Sequence, residues 1–113
     1  MSAANKVVRS ADSSMTSPEP GLRRQVMSYS KGIMLVRHKI EPGWVGAAHN
    51  HPHEQLIYVV SGAIQLTVGN ATHTLSAGDS FLVAGGIQHQ ARADRATEVL
   101  DVFAPYRSDY ASG

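Results

Sequence analysis

The sequence predicts an all-β domain, and three observations carry the prediction. Short runs of β-branched and aromatic residues recur at spacings near ten residues, each bounded by Gly, Pro, Asn, Asp or Ser. No segment repeats its apolar residues with a convincing helical period. The chain has 113 residues, 42% of them apolar, enough to bury one hydrophobic core but not two.

The elements follow in order. Residues 1–22 are rich in Ser, Ala and charge and end in Ser17-Pro18-Glu19-Pro20-Gly21. They are expected as a flexible lead-in that docks late or pairs with another subunit, with the domain proper over 23–113. Strands are expected over 25–30 and 33–40, separated by Lys31-Gly32, after which Glu41-Pro42-Gly43 breaks the pattern. The run 55–60 stops at Ser61-Gly62. Runs 63–68 and 72–75 flank Gly69-Asn70, a hairpin turn of residues that tolerate positive φ. Ser76-Ala77-Gly78-Asp79 is a further turn before 80–84, and Gly85-Gly86 precedes 89–93. The stretch 97–104 is a last apolar strand ended by Pro105. Eight or nine such strands, closed face to face in jelly-roll fashion, leave few exposed edges.

Charge and composition narrow the function. The formal charge is +1 and the basic residues are scattered, which argues against nucleic acid or an anionic membrane as partner. There is no cysteine, hence no disulfide framework and no thiolate metal site, and a reducing cytoplasm is the expected location. The first residues lack the apolar core of a signal peptide, and no later stretch is long enough to cross a bilayer.

The six histidines are less ordinary, because His49, His51 and His53 fall within five residues. Side chains two apart in a strand share a face, so His49, His51 and Gln55 line up with Ile57 and Val59, opposite Leu56, Tyr58 and Val60. Imidazoles and a side-chain oxygen converging at one mouth of a barrel suit a divalent ion such as Ni, Zn, Fe, Co or Mn. His89, at the start of a strand beyond Gly85-Gly86, is placed to supply a fourth ligand. The alternative is a set of solvent-facing loop histidines with Gln55 on the surface. Two imidazoles at i and i+2, an oxygen at i+6 and an isolated later His favour metal. His53 and Glu54 are read as rim residues, and His38 and His73 as ordinary strand histidines.

These residues carry a resemblance. Gly46-Ala47-Ala48-His49-Asn50-His51-Pro52-His53-Glu54-Gln55, then six residues and Gly62, resembles the first cupin motif. The stretch from Gly78-Asp79 through Gly85-Gly86 to His89 resembles the second. The resemblance implies a cupin jelly-roll β-barrel of one domain, with a metal on His49, His51, Gln55 and His89. Gln55 stands where most cupins have Glu, Ala84 where Pro is usual and Ala93 where Asn is frequent. A neutral amide oxygen puts less negative charge on the metal, and so implies a looser grip and an open metal identity.

The last strand carries Asp101 within an apolar run, where an ionised carboxylate is costly to bury unless paired. It is either a pocket-facing acid or base or an outward strand residue. Arg107 either grips a carboxylate in a bidentate fork or belongs to a solvated tail. Arg23-Arg24-Gln25-Val26-Met27-Ser28-Tyr29, the histidine run and the segment from Asp101-Val102-Phe103 to Arg107-Ser108-Asp109-Tyr110 together look like the small cupins of pectin and alginate degradation. In that subgroup the ligands are two His, a Gln and a His, so Gln55 fits it. The resemblance implies conversion of 4,5-unsaturated uronates, made by polysaccharide lyases, into linear keto-sugars. It also implies catalytic roles for Asp101 and Arg107, substrate contacts from Phe103 and Arg107, a sugar acid as ligand, and a homodimer. A metal-dependent dioxygenase or other isomerase on the same barrel, and a non-catalytic sugar sensor, are the competing classes.

Overall fold

The computed structural model describes residues 5–111. Nine antiparallel strands run in chain order: β1 (Met15–Glu19), β2 (Leu22–Tyr29), β3 (Met34–Ile40), β4 (Glu54–Ser61), β5 (Ala63–Val68), β6 (Ala71–Ser76), β7 (Ser80–Val83), β8 (His89–Arg92) and β9 (Thr97–Ala104), followed by one turn of helix, α1 (Ser108–Ala111). They form a six-stranded sheet in the order β1-β2-β3-β9-β4-β7 and a three-stranded sheet in the order β6-β5-β8. The chain is all-β, as expected. Residues 43–49 widen the smaller sheet by running antiparallel to β8, with isolated bridges Val45–Arg92 and His49–His89.

The strand β1 lies inside the stretch expected as a lead-in, so the sheet begins upstream of Arg23. Pro18 has no N–H to donate, and β1 accommodates it by being the outermost strand of its sheet. Just ahead of β1, the carbonyls of Ser10 and Ser13 accept hydrogen bonds from the buried Gln25 amide at 2.8 and 3.1 Å, which covers the outer face of β2. The part of that lead-in formed by residues 1–4 lies outside the described residues.

Alternation is strict on the central strands. Met34, Val36, His38 and Ile40 of β3 point inward, as do Thr97, Val99, Asp101 and Phe103 of β9. The turn from β4 to β5 rests on Gly62, whose φ is +78° and where a Cβ would collide with the Ala96 carbonyl and the Thr97 hydroxyl.

The interior falls into two apolar clusters. The larger includes Leu22, Ile40, Ile57, Val59, Ile64, Leu66 and Val99, between the two sheets. The smaller, Met34, Val36 and Phe103, is closed by Val26, Tyr29, Tyr106 and Tyr110. Along β2 the inward order is Leu22, Arg24, Val26; along β3 it is Val36, His38, Ile40; along β9 it is Val99, Asp101, Phe103; and on β4 Gln55 precedes Ile57. One polar residue from each of four adjacent strands therefore forms a seam between the clusters.

Candidate metal centre and cavity

The seam is hydrogen-bonded from end to end. Arg24 faces His38 across the β2–β3 ladder, and its Nε–H donates to His38 Nε2 at 3.0 Å. With that nitrogen accepting, the His38 proton sits on Nδ1 and is donated to Asp101 Oδ2 at 2.6 Å. The other carboxylate oxygen, Oδ1, accepts from Gln55 Nε2 at 2.9 Å. Asp101 is buried, and both its oxygens are engaged as acceptors, which is the form an ionised carboxylate takes. Because the carboxylate can only accept, it fixes the Gln55 amide with nitrogen toward Asp101 and oxygen away from it.

That oxygen meets the imidazoles. His49 and His89 oppose each other in the bridge that widens the smaller sheet, and His51 sits on the loop leading into β4. Each ring is oriented by a backbone carbonyl accepting from Nδ1–H: Ala47 for His49 at 3.0 Å, His53 for His51 at 3.1 Å and Ile87 for His89 at 2.9 Å. The opposite nitrogens are left as lone pairs. One ligand nitrogen from each of the three rings lies within 4.8 Å of the others. Gln55 Oε1 stands 3.1 Å from His51 Nε2 and 3.2 Å from His89 Nε2.

With the rings in this tautomer, every one of these atoms is an acceptor, so no proton joins them. A cation would: ligand atoms about 2.1 Å from one ion lie roughly 3.0–3.4 Å apart at octahedral or tetrahedral angles. The residues present thus fit a divalent ion. Burial lowers the His51 pKa, with the Arg107 and His89 charges adding to it against hydrogen bonds to Gln55 and His53. Burial likewise lowers that of His89, with smaller contributions from His49 and Arg107. Both shifts favour the neutral, ligating imidazole. His49 is exposed, which places the cluster at the mouth.

A cavity of about 200 Å³ opens onto the cluster. His49, Gln55, His89, Asp101, Phe103, Arg24 and His38 line it, over an aliphatic floor that includes Ile57, Leu66 and Val99. Trp44 and Glu19 also line it, joined by a 2.6 Å bond from Nε1–H to the carboxylate. The sequence expectations can be located one by one. His49, His51, Gln55 and His89 come together; Asp101 and Phe103 border the same space. Arg107 is not among the lining residues. Its guanidinium forks onto Asp109 at 3.1 and 2.9 Å, stacks 4.1 Å from the Tyr110 ring and keeps a buried Nη1 without a hydrogen-bond partner. His53 is half-buried in the wall, its Nε2 donating to the Tyr106 carbonyl at 3.1 Å, while Glu54 and His73 are exposed. His38, read from sequence as an ordinary strand histidine, is instead the buried partner of Asp101. The available signal was its parity: it shares the inward face with Met34, Val36 and Ile40.

The fold and the site define a class. The cupin-domain family profile matches residues 36–103, and the chain belongs to the cupin family. Within it, the chain is similar to proteins of pectin degradation. The solved structure of KdgF from Halomonas sp. superposes with a TM-score of 0.88 at 31% identity, covering 93% of this chain and 99% of that one. An RmlC-like cupin from Shewanella frigidimarina NCIMB 400 gives 0.88 at 30% identity, covering 92% and 94%. The pectin degradation protein KdgF of Dickeya dadantii (strain 3937) is 25% identical over 92 residues, which are 80% of this chain and 84% of that protein. No helix among the described residues is long and apolar enough to cross a membrane.

Proposed function

We propose that this cupin is a metal-dependent isomerase that opens 4,5-unsaturated uronates, the monosaccharides left by polysaccharide lyases, into linear keto-sugars. The observation that carries the reading is the placement of an acceptor-only carboxylate, Asp101, in the same cavity as a converging set of ligand lone pairs. Similarity to the two KdgF proteins supports the substrate class.

The reaction is an isomerisation. The C1 hydroxyl gives up its proton, the bond from C1 to the ring oxygen breaks, and C1 becomes an aldehyde while that oxygen stays on C5 as an enolate. A proton added at C4 converts the enolate to a ketone, so no atom or electron is gained overall. Asp101 is the base that takes the hydroxyl proton and returns a proton to carbon. His38 and Gln55 hold its two oxygens in place. Phe103 flanks the sugar from the cavity wall, and Arg107, propped by Asp109, contributes charge from behind that wall. A divalent ion held by His49, His51, Gln55 and His89 would supply Lewis-acid polarisation of substrate oxygens. Such rings also open unaided, so the acceleration required is modest.

The test follows loss of the conjugated C4=C5 chromophore of an unsaturated galacturonate, with metal content measured on the same preparation and an uncatalysed baseline beside it. Wild type turns the substrate over above baseline and Asp101→Asn falls to it. Equal rates for wild type and Asp101→Asn, or no gain over baseline, would sink the reading. Oxygen uptake with Fe(II) would point to a dioxygenase instead.

A homodimer in the cytoplasm completes the proposal. The outer face of the large sheet carries Leu56, Tyr58, Val60 and Leu82, each 41–57% exposed, on the adjacent strands β4 and β7. Two-fold pairing of that face would bury them. Light scattering of wild type and of Leu56→Glu/Leu82→Glu distinguishes a dimer from a monomer.

A further inference from the structure

We propose that Arg24 is the carboxylate-binding residue of the cavity. Arg24 is the one lysine or arginine among the described residues that line it. Strand alternation separates it from its neighbour: Arg23 is exposed, while Arg24 lies on the inward row between Leu22 and Val26. Two contacts hold its guanidinium. The plane stacks on Tyr110 with the central carbon 3.6 Å from the ring centroid, and Nε–H is engaged by His38. Stacking leaves the in-plane edge of a guanidinium available for hydrogen bonding. With Nε engaged, the remaining edge is the pair of terminal nitrogens, which make no hydrogen bond among the described residues. Two parallel N–H groups on a fixed plane are the donor pattern a carboxylate accepts in bidentate fashion.

Arg107 has the opposite environment. The carboxylate of Asp109 already occupies its fork, and the side chain does not line the cavity. Of the two, Arg24 is the cation whose side chain borders the cavity onto which the imidazoles open. Its link through His38 to Asp101 also ties the anion grip to the proton-moving group by two hydrogen bonds. The inference rests on the acidic-sugar reading above and names the group that recognises the acid.

The experiment titrates the protein as purified, with its metal, against D-galacturonate and against neutral D-galactose by calorimetry. Wild type binds galacturonate more tightly. Arg24→Gln weakens galacturonate about tenfold or more, as loss of a charge-assisted pair predicts, and leaves galactose unchanged. Arg23→Gln alters neither. Unchanged galacturonate binding in Arg24→Gln, equal loss of both sugars, or no wild-type preference for the acid overturns the proposal. Turnover of the unsaturated uronate is measured separately: its absence in a wild type that grips galacturonate through Arg24 removes the isomerase reading and leaves this one standing. If Arg24→Gln does not fold, a galacturonate-soaked crystal of wild type decides. A carboxylate within hydrogen-bond reach of the Arg24 terminal nitrogens supports the assignment, and one on Arg107 overturns it.

Discussion

Removing the His38 side chain should cost more than any surface pair could. The Nδ1–Oδ2 bond is 2.6 Å, and the two side chains are only 9% and 5% exposed. The screening that reduces an exposed ion pair to about 0–1 kcal/mol is therefore absent. His38→Leu leaves Asp101 Oδ2 buried without its donor, a loss of about 3 kcal/mol by analogy with broken buried pairs. At about 2.1 cal/mol/K per residue, the unfolding entropy of this 113-residue chain is about 0.24 kcal/mol/K, so the melting temperature should drop by about 12 °C. A double-mutant cycle with Asp101→Leu isolates the pair, since the freed Gln55 amide is common to both Asp101 legs and cancels. The coupling energy from urea melts of chelator-treated protein should be about 1.5–3 kcal/mol. A coupling under about 0.5 kcal/mol would mean that the pair does not hold Asp101, and the seam would lose its structural meaning.

Three further outcomes follow from the same geometry. Gln55→Glu sets a carboxylate against Asp101, where Nε2 now donates at 2.9 Å; the metal-free protein should melt lower, while the upward shift on adding Ni(II) or Zn(II) should grow. Burial keeps His51 and His89 below the ordinary imidazole pKa of 6.5, so in the metal-free protein the unfolded chain binds protons first as pH falls. Stability should then be flat above that value, decline below it and level off at the lowered folded-state values, as followed by urea melts in chelator; stability that rises on acidification through this window would contradict the sign. Gly85→Ala would drive a Cβ into the Pro52 carbonyl, next to the His51 carbonyl that accepts from Gly86 N–H. Shifting that loop should weaken metal affinity about tenfold or more, read by competition with a chromophoric chelator, and should also lower metal-free stability by about 1–3 kcal/mol, read by urea melts.

Strand parity made much of the site legible. His49, His51 and Gln55 share the phase of Ile57 and Val59, which are 3% and 0% exposed, while Leu56 and Tyr58 face outward. The convergence of His49, His51, Gln55 and His89 was readable because it depends on local alternation and two short motifs. What was not legible depends on strand order. β9 inserts between β3 and β4, so the meeting of His38 with Asp101, and of Asp101 with Gln55, crosses pairings that chain order does not reveal. The surroundings of Arg107 were not legible for a different reason. A guanidinium two residues from a carboxylate can fork onto it or reach a ligand, and only the turn of α1 shows that Asp109 takes it. β1 was hidden because its Ser- and Pro-rich text has little strand propensity, and its pairing is supplied by β2.

The seam has a consequence that concerns folding rather than chemistry. Each of its links joins neighbouring strands: β2 to β3, β3 to β9, β9 to β4. A slip of any one strand by a single residue would turn its polar group to the outside and bring its neighbours into the interior. The partners on both sides would then be stranded in an apolar interior, at a cost of about 1–3 kcal/mol for each unsatisfied group. Apolar rows alone discriminate poorly between registers related by a two-residue shift, because they still meet other apolar rows. Arg24, His38, Asp101 and Gln55 do not, since the complementary partners of each sit only at the matching positions of the adjoining strands. Arg24 and Asp101, proposed to recognise and move charge on a substrate, and His38 and Gln55, which hold Asp101, thereby also check the alignment of the sheet that carries them.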